Sequence, residues 1–185
     1  MSKDSGETRV AGTGSIYVAA YGAALPSSFD STIPSAYAEL GFTDEDGVTF
    51  TDEPSIDRKR AWQSFHPIRI LETDRTAMIA ANLLQWNEDT LKIAAGGGTT
   101  SAAGTGSKFV PHAAGTLSEW SVIVDISDGS IRDRWVLPKA IVVSSLETTL
   151  NRNDMSVMPL ELEVIGEEGV NPWEFYTNDT TAFSA

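Results

Sequence analysis

The chain has 185 residues, 41% of them hydrophobic and 21% charged, the balance of an ordinary globular protein with enough length to bury a full core. It has no cysteine, which excludes disulfides, thiolate metal sites and a cysteine nucleophile. Its net charge of −13, from 26 acidic and 13 basic residues, argues against a surface that grips nucleic acid, because such a surface gathers Lys and Arg onto phosphates.

Residues 1–12, beginning MSKDSGETRV, are polar and read as a flexible N-terminal arm. They lack the apolar centre of a secretory signal, so synthesis in a cytoplasm is expected. No run of about 18 apolar residues occurs, so no membrane span is expected. GSIYVAAYGAALP (14–26) is small, β-prone and ended by proline, and predicts a first strand. SSFDSTIPS (27–35) is turn chemistry, and AYAELGF (36–42) is either a short strand or a helical turn.

The acidic stretch ELGFTDEDGVTFTDEP (39–54) comes next. Set against a calcium-binding EF-hand loop, Asp44, Asp46, Gly47 and Glu53 fall on loop positions 3, 5, 6 and 12. Phe42 stands where the first carboxylate is required, and neither flank shows an amphipathic helix. The stretch therefore reads as an exposed excursion between strands, with Gly47 allowing a tight turn. A basic patch, Arg58, Lys59 and Arg60, follows directly. Residues 43–60 are expected to form a long loop. Strands are predicted over 61–71 and again over 74–84, with Trp62 in the first of them as a packing residue.

NEDTLKIAAGGG (87–98) predicts the one clear helix. Asn87 is the N-cap, Glu88 and Asp89 occupy the first turn, Leu91, Ala94 and Ala95 form an apolar face, and Gly96 ends it. Residues 96–107 are rich in Gly, Ser and Thr and are expected to be a second long loop. Within it GTGSKF (104–109) has P-loop ingredients in the wrong order, ahead of a strand instead of a helix. EWSVIVDIS (119–127) and SIRDRWVLPKAIVVSS (130–145) flank Asp128-Gly129 and predict a β-hairpin. Pro138 places the second of these at a sheet edge or on a bulge. SVMPLELEVIG (156–166) alternates as a half-buried strand, and the tail is aromatic and turn-rich.

His66 and His112 each lie beside a proline without identifiable partners, no GxSxG elbow occurs, and the Asn178 sequon has no secretory context. No catalytic, cofactor or metal residue is assigned, and the chain is not read as an enzyme. The elements sum to a mainly β protein, an antiparallel β-sandwich or barrel with one short flanking α-helix.

The order of these signals resembles the major tail (tail tube) proteins of long-tailed actinobacterial phages. The resemblance rests on Leu25-Pro26 closing the first strand, Leu40-Gly41-Phe42, Glu45-Asp46-Gly47, AWQ (61–63) after Ile56-Asp57, the helix NEDTLKIAAGG, and PLELEVIG (159–166). It implies a tail-tube β-sandwich over 13–185, with six copies closing into rings that stack into a tube. It implies a place in the virion tail, with tape-measure, tail-terminator and distal-tail proteins as partners and DNA passing through without specific binding. The contact candidates between subunits or rings are Asp44, Glu45, Asp46, Asp52, Glu53 and Asp57 in the acidic segment, and Arg58, Lys59 and Arg60 after it. A β-sandwich binding module for a receptor or glycan is the alternative, and an aromatic concave site would mark it.

Overall fold

The computed structural model describes residues 7–113 and 115–183. The protein is mainly β and antiparallel, with one short helix. The main sheet runs β2 (Ala38–Glu39), β1 (Thr13–Ala20), β7 (Glu119–Asp128), β8 (Ile131–Val142), β9 (Met158–Val164), β4 (Pro67–Leu83) and β3 (Thr43–Arg60). β10 (Glu174–Thr177) joins β8 outside that path, and β5 (Gly98–Ala103) pairs with β6 (Gly106–Pro111) as a separate hairpin.

β7 shows why the centre of the sheet is apolar on both sides. Trp120 to Val124 are all buried, a continuous run rather than an alternating one. Val122 and Val124 face a core that also holds Ile16 and Val18 of β1, Leu137 and Ala140 of β8, and Leu160 and Leu162 of β9. Ile123 faces the other way, with Ala19, Val136 and Tyr37, beneath the irregular segment that follows β1. That segment is held by Arg134, only 6% exposed. Its guanidinium is bidentate to Asp125 at 2.6 and 2.7 Å and donates to the carbonyls of Ser28 and Ser31.

Gly129 supplies the left-handed backbone, at φ +61°, for the β7–β8 turn expected from Asp128-Gly129. Pro138 lies in an interior strand, and a bulge accommodates it: the register shifts between Trp120 and Val122, leaving Pro138 and Lys139 opposite Ser121. Pro138 has no N–H to give the ladder, and its carbonyl accepts from the buried Ser121 hydroxyl at 2.6 Å.

β8 forks. Asp133–Val136 pair with β10, and Ala140–Val142 pair with β9. Beyond the fork the sheet curls back on itself. β3 lies three strands from β8, about 14 Å in a flat sheet, yet the Phe50 and Trp135 rings are 4.4 Å apart. Trp173 completes the closure, packing on both rings and donating its indole N–H to Asp52 of β3 at 3.2 Å. The architecture is thus a curled antiparallel sheet, sandwich-like across its core.

The helix α1 (Glu88–Ala94) begins where expected, with a capping box between Asn87 and Thr90. Its buried face is Thr90, Ile93 and Ala94, with Leu91 only half-buried. The buried face is thus one residue back from the expected one of Leu91, Ala94 and Ala95, with Ala94 common to both. Gly96 follows the C-cap with φ +69°.

Two expected loops are strands. Residues 43–60 form β3, and 96–107 fall mostly in the β5–β6 hairpin, which turns at Gly104 with φ +61°. In both, polar composition suggests loop because most side chains meet solvent, Val48 and Phe50 of β3 excepted. A paired strand needs only its backbone satisfied, and β4 and β6 do that. The strands expected over 61–71 and 74–84 are one long strand, β4, and residues 61–66 are the turn into it. Within the stretch read as an arm, Gly12 N–H bonds to the Ser127 carbonyl, Val10 N–H bonds to Asp128, and Arg9 pairs with Asp133 and Asp179.

Candidate functional site

The β3–β4 hairpin is the feature that the core does not explain. Its inner half is built into the body. Ala77, Ile79, Ala81 and Leu83 of β4 alternate inward, and Phe50 of β3 joins the aromatic cluster. From Glu53 outward and from Arg75 backward, nearly every residue is exposed. The ladder nonetheless continues to Arg60↔Pro67, with bulges at Ser55/Ile56 and Lys59/Arg60. Eight residues of paired strand therefore project beyond the body, about 25 Å at strand rise.

The tip is aromatic and basic. Trp62 is 98% and Phe65 99% exposed. The sequence placed Trp62 in a strand with a packing role; it lies in the turn and packs against nothing in its own chain. Ile56, Ile68 and Ile70 are exposed beside it. Residues 57–72 carry four basic and two acidic side chains, whereas the remainder of the chain has nine and 24. Phe65 was missed altogether in the sequence, although its neighbours Ser64 and Pro67 carry turn chemistry.

The contact candidates divide by position. Asp44, Glu45 and Asp46 lie at the base of the hairpin, where Asp44 accepts from Asn82 Nδ2 at 2.6 Å. Asp52 sits midway and is committed internally. Arg75 grips it with two bonds of 2.8 Å, and Trp173 adds a third. Arg75 holds the Asp52 carboxyl below the usual carboxylate range. Asp57 pairs with Lys59 two residues along the same face, at 2.5 Å. Among the described residues, Arg58, Arg60 and Arg69 near the tip, and Glu45, Asp46 and Glu53 below it, make no ion pair. The structure thus sets Asp44, Glu45 and Asp46 far from the basic patch along one strand, while Asp57 lies beside the patch and pairs with Lys59.

This geometry removes the calcium-loop reading, since the stretch that fitted the template is extended strand with Gly47, φ +70°, at a register shift. Among the described residues no three His, Cys, Asp or Glu side chains gather as a metal-holding group. Asn178 uses its side-chain amide at home, donating to the Ser130 carbonyl and accepting from Arg132 N–H.

The family model described as phage tail tube protein matches residues 1–185, the whole chain. The chain belongs to the phage tail tube family. No curated protein matches it. As a tail tube protein it is a structural component of the virion tail. Among the described residues of this tail tube protein no helix is long and apolar enough to cross a membrane.

Proposed function

We propose that the protein is the subunit of stacked rings, six copies to a ring, that form the tail tube through which the genome passes to the host. The observation that carries this reading is the segregation of charge along β3. A basic, aromatic tip and an acidic base lie about 40 Å apart on one rigid ladder, taking twelve residues from Asp46 to Arg58 at strand rise. Two different, complementary patches on one molecule make a heterologous contact, and a heterologous contact propagates into rings or open stacks. Complementary charge also sets the register between copies.

The remaining features support the same reading. β3 is a long edge strand, and an edge left open is a template for another chain. The acidic excess of the body suits a conduit that repels phosphate and lets DNA slide. Function in such a tube is geometry and self-assembly, with no catalytic step. The chain is made in the host cytoplasm and meets tape-measure, tail-terminator and distal-tail proteins as the tail is built.

Negative-stain electron microscopy of the purified protein tests the proposal. Rings or tubes are expected, with an axial repeat no greater than about 60 Å, since an 18-residue strand spans little more. A protein that stays monomeric at high concentration and forms no tubes refutes it.

A further inference from the structure

We propose that Trp62 and Phe65 at the hairpin tip of one copy insert into a groove at the base of the hairpin of the next. The groove, of about 340 Å³, lies between α1 and the β5–β6 hairpin, and its apolar lining is Trp86, Leu91 and Phe109. The inference rests on the tube reading and names the two surfaces that meet.

Three observations converge on a second copy as the occupant. The first is the tip itself, where two large aromatic side chains have essentially no cover and sit at the end of a ladder that projects from the body. Interfaces of stable complexes are anchored by side chains of this kind inserted into a partner's pocket.

The second is position. The groove begins where the hairpin ends: Leu84 N–H bonds to the Phe42 carbonyl at 2.9 Å, and Trp86 follows two residues later. Tip and groove therefore lie at opposite ends of one hairpin. A chain cannot fill its own groove with its own tip, but a copy displaced along the hairpin direction can.

The third is charge. Arg58, Arg60 and Arg69 surround the aromatic tip. Glu88 lines the groove and Asp89 is exposed beside it, while Asp44 and Asp46 line a separate depression at the hairpin base with Asn82 and Glu161. Lys92 and Lys108 belong to the elements flanking the groove but do not line it. An apolar centre with a basic rim on one side and an acidic rim on the other is the arrangement of a specific protein contact.

The absence of cysteine makes the test clean. The double variant Gln63→Cys/Thr100→Cys places one thiol in the exposed tip turn, between the two aromatic anchors and sparing both, and one on the groove wall. Under mild oxidation of assembled protein it is expected to give a ladder of covalent oligomers, collapsed by reductant. Gln63→Cys paired with Thr180→Cys, on the C-terminal segment, is expected to give none. In parallel, Trp62→Ala/Phe65→Ala is expected to raise the concentration needed for assembly by about 30-fold or more, with the melting temperature of the monomer unchanged.

Tubes that form without the Gln63–Thr100 ladder, or with the ladder from the Thr180 pair, overturn this docking and leave the tube reading standing. Dimers from Gln63→Cys alone overturn it in favour of a tip-to-tip contact. Loss of both tubes and ladder sinks the two proposals together. A gel shift of an oligonucleotide that disappears in Trp62→Ala/Phe65→Ala assigns the tip to nucleic acid instead.

Discussion

Two tryptophans of this chain should respond oppositely to the same substitution. Trp135 packs on Phe50 at 4.4 Å, Phe175 at 4.8 Å and Trp173 at 5.3 Å, and these rings close the curled sheet. Trp135→Ala removes the transfer energy of a large side chain, leaves a cavity among three rings that relax only partly, and forfeits three ring contacts. Trp135 is half-buried, so its truncation should cost about 2–3 kcal/mol, below the range for a fully buried ring. A domain of this length loses about 2–4 °C per kcal/mol, so the melting temperature should fall by roughly 5–10 °C. Trp62→Ala should change it by less than about 2 °C, because a side chain 98% exposed contributes almost nothing to folding. Thermal unfolding followed by circular dichroism reads both. Phe50 lies where the hairpin leaves the body, so Trp135→Ala should also speed tryptic cleavage at Arg58, Lys59, Arg60 and Arg69. A fall of less than about 3 °C in Trp135→Ala, or a fall of that size in Trp62→Ala, would refute the division of the molecule into a closed core and a free arm.

Reversing charge at Asp44, Asp46 and Asp57 should impair polymerisation far more than folding, since exposed charges alter stability by less than about 1 kcal/mol; tubes of normal length in that variant would count against the contact. Mixing Asp44→Lys/Asp46→Lys subunits with Arg58→Glu/Arg60→Glu subunits should restore some assembly that neither achieves alone, as seen by sedimentation. Gly41→Ala should destabilise the monomer, because Gly41 has φ +78° and an added Cβ would lie 1.2 Å from Gln85 Oε1; adding Gln85→Ala should relieve the overlap and leave the backbone cost of about 1–2 kcal/mol. Acid should also loosen the fold. Arg75 lowers the Asp52 carboxyl, and the Ala182 N–H, with Arg9, lowers that of Asp179. Both groups stabilise the folded state above the unfolded carboxylate value of about 4, and lose that contribution as pH falls through their lower folded values. Denaturant midpoints measured from pH 5 to 2 should therefore fall less steeply for Asp52→Asn/Asp179→Asn.

Much of this molecule is written locally. Asn87 and Thr90 form a capping box from four consecutive residues, and Gly129 turns a hairpin that needs no distant information. Met158, Leu160 and Leu162 alternate inward as their spacing requires. The order of short motifs was enough to indicate the tail tube family, which the match over the whole chain establishes. Composition misled only where it was taken as a proxy for loop. Glu53–Arg60 and Gly98–Ala103 are polar because both faces are largely wet, and neither periodicity nor hydrophobicity distinguishes a solvated ladder from a coil.

The sequence by itself determined the β character, the helix and its cap, the turn at Gly129 and the membership of the family, because each depends on neighbours within a few positions; at Pro138 it left a sheet edge and a bulge both open. Only the tertiary structure decided which aromatics are core and which are arm. Trp62 and Trp135 sit in similar surroundings along the chain, yet Trp135 is half-buried against three rings and Trp62 touches none. Burial is set by what a curled sheet brings back from 85 residues away, as Phe50 is brought to Trp135. The same long-range closure leaves the outer hairpin, with its basic tip and acidic base, projecting as one rigid arm.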